Sequence, residues 1–268
     1  MSGTEESAGM LFQAGKLAAA VEAAGAAVKK TPSDLAARVL LAEMLLFAGN
    51  LERADVILDA ASQVDPSAAV VVAEFRQLLR AEMARRQLRR DGRVPEFLGE
   101  PTPAQRAALA AIVALRAGEP EAAAMHCAEI EALRPRAAGT SAERSFADFR
   151  DVDDLCAGSF EVLTTTGKYF WIPTERVEEA VFHPPKRPRD LYWRRVSMSV
   201  TEGPDGDVYL PAIYGSDDAG LTDALRLGRA TDWAGPESGP VRGSGRRVFL
   251  ADEEAVDVMA LATLRFGQ

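Results

Sequence analysis

The stretch "AGNLERADVILDAASQVDP" (Ala48–Pro66) decides the fold, because its skeleton occurs twice more: as "AGKLAAAVEAAGAAVKKTP" (Ala14–Pro32) and as "AGEPEAAAMHCAEIEALRP" (Ala117–Pro135). In each copy Ala-Gly is followed by Ala five residues after the Gly (Ala20, Ala54, Ala123) and by Pro seventeen after it (Pro32, Pro66, Pro135). The first two copies are offset by 34 residues, with Ala14, Gly15, Leu17, Ala20, Pro32 and Ser33 recurring as Ala48, Gly49, Leu51, Ala54, Pro66 and Ser67. That offset is the tetratricopeptide period. Gly past a helix end permits the positive φ of a tight turn, a small Ala lets two helices approach closely, and Pro suits the first turn of the next helix. Each copy reads as helix, turn, helix.

The segments between the copies keep helical spacing. Leu35, Val39, Ala42 and Leu46 fall on one face, as do Leu51, Ala54, Leu58 and Ala61. From Ser67 to Arg90 the pattern runs longer, with Val71, Phe75, Leu78 and Glu82 beside Val72, Leu79 and Met83. "DGRVPEFLGEPTP" (residues 91–103) then breaks the array, and a further helical pair spans Ala104 to Leu133. Residues 1–138 are therefore expected to form a domain of TPR-like helical repeats. Stacked pairs bury their apolar faces and leave a concave surface suited to a peptide or helix. This favours a protein-binding module over a spacer carrying the C-terminal half.

Composition narrows the class. The chain has 268 residues, 47% of them hydrophobic, and a formal net charge of -9. That charge argues against wrapping nucleic acid. No apolar run approaches the roughly 20 residues of a membrane span, and "MSGTEESAGM" does not read as a signal peptide, so the cytoplasm is the expected location. Two cysteines (Cys127, Cys156) and two histidines (His126, His183) fall short of a structural zinc site. They read as buried thiols and ordinary histidines, and no metal or cofactor is expected. Arg85, Arg86, Arg89, Arg90 and Arg93 form a basic cluster suited to phosphate or an acidic helix. Its plainer reading is a solvated helix C-terminus, where cations complement the macrodipole.

After "RPRAAGTSAE" the texture changes to short β-prone runs between turn residues: "SFEVLTT", "KYFWI", "LYWRRVSMSV", "VYLPAIY", "RRVFLA" and "VMALATLRF". Residues 145–268 are expected to form a β-rich domain, giving an α+β protein overall. "EGPDGD" carries hairpin chemistry at Pro204-Asp205-Gly206. All three tryptophans (Trp171, Trp193, Trp233) lie here and read chiefly as core.

Three phrases in this half, "GKYFWIP" (Gly167–Pro173), "DLYWRRVSMSVTEGPDGDVYLPAIY" (Asp190–Tyr214) and "TDWAGPESGPVRGSGRRVFLADEE" (Thr231–Glu254), resemble the ImpE family, also called SciE or TagJ. Its members are accessory proteins of bacterial type VI secretion. The resemblance implies a cytoplasmic, noncatalytic adaptor. It would bind the N-terminal helix of the small sheath subunit and link the contractile sheath to its AAA+ disassembly ATPase, a further candidate partner. No catalytic motif is carried over. Among the residues of these phrases, Trp193, Arg194, Tyr209, Trp233, Arg242 and Arg247 combine the aromatic and Arg types enriched at interface hot spots, and are the candidate partner-binding set.

Two other classes stay open beside the adaptor: a general TPR peptide-binding protein unrelated to secretion, and an enzyme using the C-terminal domain. "VRGSGRRVF" (Val241–Phe249) is Gly-rich and basic, yet it lacks the G-x-x-x-x-G-K-[ST] pattern and reads as a turn before a strand. Ser244 is not in a G-x-S-x-G elbow. A carboxylate-clamp TPR resembles a pair of asparagines with a cation, and this chain has one asparagine, Asn50. "HPPKRPRD" (His183–Asp190) reads as a stiff connection into the next strand, with a polyproline II ligand as the rival reading.

Overall fold

A computed structural model describes residues 6–64, 69–142, 144–215, 220–235 and 238–267. Among the described residues seven α-helices come first: α1 (Ala8–Gln13), α2 (Leu17–Lys30), α3 (Leu35–Phe47), α4 (Leu51–Val64), α5 (Ala69–Asp91), α6 (Pro103–Ala117) and α7 (Pro120–Leu133). The three Ala-Gly steps close α1, α3 and α6, and their glycines sit at φ 78°, 81° and 76° (Gly15, Gly49, Gly118), a region costly to side chains with a Cβ. Ala20, Ala54 and Ala123 are wholly buried, as close helix contact requires. The prolines behave differently from expectation. Pro32 lies before Asp34, whose carboxylate accepts from Ala37 N at 3.1 Å and starts α3, so Pro32 terminates α2 instead of opening α3. Pro135 follows α7 and leads into a strand, while Pro66 and Ser67 lie outside the described residues. α6 has a complete capping box between Thr102 and Gln105, with Pro103 in its first turn. Among the described residues no helix is long and apolar enough to cross a membrane.

Thirteen strands follow among the described residues. They are β1 (Gly139–Ser141), β2 (Arg144–Phe146), β3 (Phe149–Asp151), β4 (Ser159–Leu163), β5 (Tyr169–Pro173), β6 (Val177–Phe182) and β7 (Trp193–Val200). After these come β8 (Gly206–Pro211), a short helix α8 (Asp223–Arg226), β9 (Thr231–Ala234), β10 (Arg242–Gly245), β11 (Val248–Ala251), β12 (Glu254–Asp257) and β13 (Thr263–Phe266). An eight-stranded antiparallel sheet runs β2-β1-β13-β6-β7-β8-β4-β5, a three-stranded sheet runs β12-β11-β3, and β9 and β10 form a ribbon. The fold is α+β. Some readings shift: Leu191 and Tyr192 close a 3-10 turn before β7, and "VMALATLRF" contributes a strand only from Thr263. "RGSG" (Arg242–Gly245) is itself strand β10 and not a turn, because it pairs with β9 from Gly245↔Thr231 to Arg242↔Ala234.

The large sheet separates two cores. Alternation along β4 and β5 sends Leu163, Tyr169 and Trp171 toward the helices and Phe160, Val162 and Ile172 toward the three-stranded sheet. On the helix side, aromatic pairs join the halves: Phe47 of α3 meets Tyr192 edge-on at 5.4 Å, and Phe75 of α5 meets Trp193 at 6.0 Å. The run Leu41–Phe47 of α3 is buried at every position. The reason is that its neighbours cover two flanks and the C-terminal half covers the third.

Candidate functional site

The densest chemistry lies where α5 meets the sheet. Arg85 is buried and grips both oxygens of Glu161 in β4, each at 3.0 Å, while also donating to Glu82 at 3.3 Å and to the Ile213 carbonyl at 3.2 Å. Arg247, just ahead of β11, donates to Glu161 as well and to Asp151 at 2.8 Å. Tyr169 donates to Glu161 at 2.5 Å and Tyr214 to Asp151 at 2.7 Å. Burial by itself would raise the Glu161 pKa, but the charges of Arg85, Arg247 and Arg89 hold it well below the usual carboxylate range. For Asp151 burial wins, and with Asp153 adding to it the carboxyl is pushed up to about 6 despite Arg247. The basic cluster is therefore largely not a solvated helix end. Arg85 is paired inside, Arg86 spans Gly49 O (2.9 Å) and Tyr192 Oη (3.1 Å), and Arg89 donates to the Gly215 carbonyl. Arg90 and Arg93 are exposed.

A second buried pair lies higher on the array. Arg189 donates to Glu43 of α3 at 3.0 Å and stacks 4.6 Å from the Phe75 ring, but its Nε and Nη2 lack protein partners. Desolvation lowers the Arg189 pKa and raises that of Glu43. The "HPPKRPRD" connection thus ends in two buried charged residues. The C-terminal half also completes the array's turns. Asp223 accepts from Leu17 N at 2.9 Å, supplying an N-terminal cap that Lys16 does not, and Arg229 donates to the Phe12 and Gln13 carbonyls at 2.5 and 2.8 Å.

These contacts relocate most of the candidate partner-binding set. Trp193 is buried and donates to Glu82 at 3.2 Å, and Tyr209 is buried with its hydroxyl on Glu74 of α5 at 2.7 Å. Arg194 is buried against the carbonyls of His183 (2.5 Å) and Met259 (3.1 Å), and Arg247 belongs to the Glu161 network. All four hold the chain to itself, out of a partner's reach in this conformation. Trp233 remains 41% exposed, resting edge-on against Tyr214 at 5.7 Å. Arg242 is partly exposed, with Nε 3.4 Å from Asp153. Of the three tryptophans, then, two are core and one is surface. The residues that motif reading gave no role were acids: Glu43 and Glu161 each stand alone inside an apolar run, and Glu82 falls on the apolar face of α5. A lone charge at a buried period was the available signal.

A cavity of about 270 Å³ is lined by His183, Lys186, Arg187, Asp190 and Arg195. Here Ser197 Oγ lies 2.8 Å from His183 Nε2 and donates to Asp207 at 2.6 Å. The serine sits between acid and imidazole, unlike a nucleophile whose base is itself oriented by the acid. Both cysteines are buried; burial pushes the Cys127 thiol up to about 12 and Cys156 well above its ordinary value.

Helix pairs of tetratricopeptide type, closed by a sheet that docks on α3 and α5, define the class: a repeat array joined to an antiparallel β-sheet domain. Residues 143–265 match the family model described as ImpE protein, and residues 11–75 match a tetratricopeptide repeat. The ImpE match covers most of the C-terminal half of the chain. Over 257 residues the chain is 29% identical to the type VI secretion system accessory component TagJ of Pseudomonas aeruginosa, spanning 96% of this chain and 89% of that protein. Its fold superposes on the crystal structure of protein VPA1032 from Vibrio parahaemolyticus with a TM-score of 0.91 at 25% identity, covering 97% of each chain.

Proposed function

We propose that this protein is an accessory component of a type VI secretion system, acting in the cytoplasm as a noncatalytic adaptor. It binds the N-terminal helix of the small sheath subunit and links the sheath to its AAA+ disassembly ATPase. The observation that carries this reading is the similarity to TagJ across 96% of the chain, through both the repeats and the ImpE domain. A general TPR peptide-binding role is less well supported, since the α3 and α5 side chains that would greet a peptide are engaged by Arg189, Tyr192 and Trp193 of the same chain.

Pull-down of the small sheath subunit, with and without its first helix, by the full-length protein tests the proposal. Retention that depends on the helix is expected. Equal retention of both forms would move the contact elsewhere on the sheath subunit, and retention of neither would end the sheath assignment. The ATPase link is tested by adding the ATPase to the preformed complex and looking for a ternary species by size-exclusion chromatography.

A further inference from the structure

The connection "HPPKRPRD" (His183–Asp190) supplies His183, Pro184, Lys186, Arg187 and Asp190 to the lining of the 270 Å³ cavity, and β7 supplies Arg195. Three permanent cations thus face one cavity, against the formal net charge of -9 of the chain. The one carboxylate in the lining, Asp190, is occupied by the connection itself. Its Oδ2 accepts from Lys186 N at 2.9 Å and Arg187 N at 3.2 Å, and its Oδ1 from Arg187 Nε at 3.0 Å. Two further acids touch the cations from outside the lining: Asp207 accepts from Arg195 Nη2 at 2.5 Å, and Glu74 lies 3.6 Å from Arg187 Nη2 while accepting from Tyr209. Lys186 is exposed and has no ion pair among the described residues, and there Arg187 Nη1, Arg195 Nε and Arg195 Nη1 have no acceptor. The wall is therefore rich in donors and poor in acceptors, which is the complement of an oxyanion.

These donors are held in place before any ligand arrives. Pro184, Pro185 and Pro188 fix φ along the connection, and Asp190 ties its backbone down. Ser197 Oγ donates to Asp207 at 2.6 Å and so accepts from His183 Nε2 at 2.8 Å, which orients the ring. Gathering like charges has a cost that reaches the next residue: burial, and after it the charge of Arg187, lowers the pKa of Arg189. A bound anion would relieve that repulsion. Phosphate presents three terminal oxygens to the three cations, whereas a carboxylate presents two. A cavity of about 270 Å³ falls just under the roughly 300 Å³ at which sites for drug-sized ligands begin, so the ligand is small.

We infer that this cavity binds a phosphate group, as free phosphate or on a small phosphomonoester, with Lys186, Arg187 and Arg195 as its cationic donors. The test is an NMR titration of the full-length protein with inorganic phosphate, glycerol 3-phosphate and acetate in separate arms at one ionic strength. The chain has two histidines, so His126→Gln assigns the imidazole signals, and His126 on α7 reports non-specific binding. Phosphate or its ester is expected to shift His183 saturably and leave His126 unmoved. Tighter binding of glycerol 3-phosphate identifies a phosphomonoester site, and equal or tighter binding of inorganic phosphate identifies a free-phosphate site. Lys186→Glu, a change at an exposed side chain, should weaken binding at least about tenfold. Arg195→Ala should weaken it severalfold, and Lys30→Ala at the end of α2 should not. An unmoved His183 signal in both phosphate arms, equal shifts of the two histidines, or unchanged affinity in Lys186→Glu would overturn the site. Acetate binding as tightly as phosphate would overturn the choice of phosphate.

Discussion

Glu161 is enclosed in β4 with both carboxylate oxygens engaged by two guanidiniums and a phenol. Removing one partner of such a buried pair leaves uncompensated charge, which costs about 3–5 kcal/mol. Glu161→Gln is expected to lower the unfolding free energy by that order at pH 7, read as a lower urea midpoint, because an amide cannot satisfy Arg85 and Arg247 together. The pH dependence has a definite sign. The Glu161 pKa is depressed in the folded state, so its contribution is present above the ordinary glutamate value of 4.5 and is lost as pH falls below it. Wild-type stability should decline between pH 5 and 3, and Glu161→Gln should decline less steeply there. Asp151 works in the opposite sense: raised to about 6 from 3.8, its contribution weakens as pH rises between those values. Equal urea midpoints at pH 7 for wild type and variant would mean that the arginines had found other partners. From sequence, Glu161 was visible only as one acid in "SFEVLTT". Its arginine partners lie 76 and 86 residues away along the chain, and no local spacing encodes pairs that distant.

Among the elements, α2 and α6 show two ways to begin a helix. α6 carries its own capping box in sequence, whereas the first turn of α2 is capped by Asp223, 206 residues downstream. Loss of a capping carboxylate costs on the order of 1 kcal/mol. Asp223→Ala should therefore speed amide hydrogen exchange at Leu17 and its neighbours while leaving the first turn of α6 unchanged, and mass spectrometry of the exchanged peptides reads both. Unaltered exchange in α2 would show that the long-range cap is dispensable. The difference also marks what sequence reveals about elements. The helices were legible because the 34-residue offset, the glycines and the small alanines act within one turn or one pair. The ends of the strands were less so: Leu191-Tyr192 has strand composition, but Asp190 accepts from Lys186 N and Arg187 N and winds that segment into a 3-10 turn. Trp193, Arg194, Tyr209 and Arg247 were recognised as unusual residues, but composition does not tell which side of a strand faces a neighbouring domain.

For the molecule as a whole, we propose that 1–138 and 145–268 be treated as its two domains, and far-UV circular dichroism on the two fragments tests the division. The first fragment is expected to be helical and the second β-rich, each melting below the full chain because separation exposes Phe47, Phe75, Tyr192 and Trp193 and strands Arg85 from Glu161. A strongly helical second fragment would sink the boundary. The two glycine turns where arginines dock have a wider consequence. Arginines of the C-terminal half approach Gly15 and Gly49, with Arg229 Nη1 3.1 Å and Arg226 Nη1 3.9 Å from where a Cβ would stand, whereas nothing lies within 4 Å of the matching position at Gly118. Helical repeats are readily shuffled between genes, yet here the first two carry sockets cut for one particular C-terminal half. A chimera that exchanged those repeats for another protein's would inherit cations with no acceptors, so the two halves are bound to travel through evolution as a single heritable piece. The α6–α7 turn, owing nothing to that fit, is where new sequence can enter.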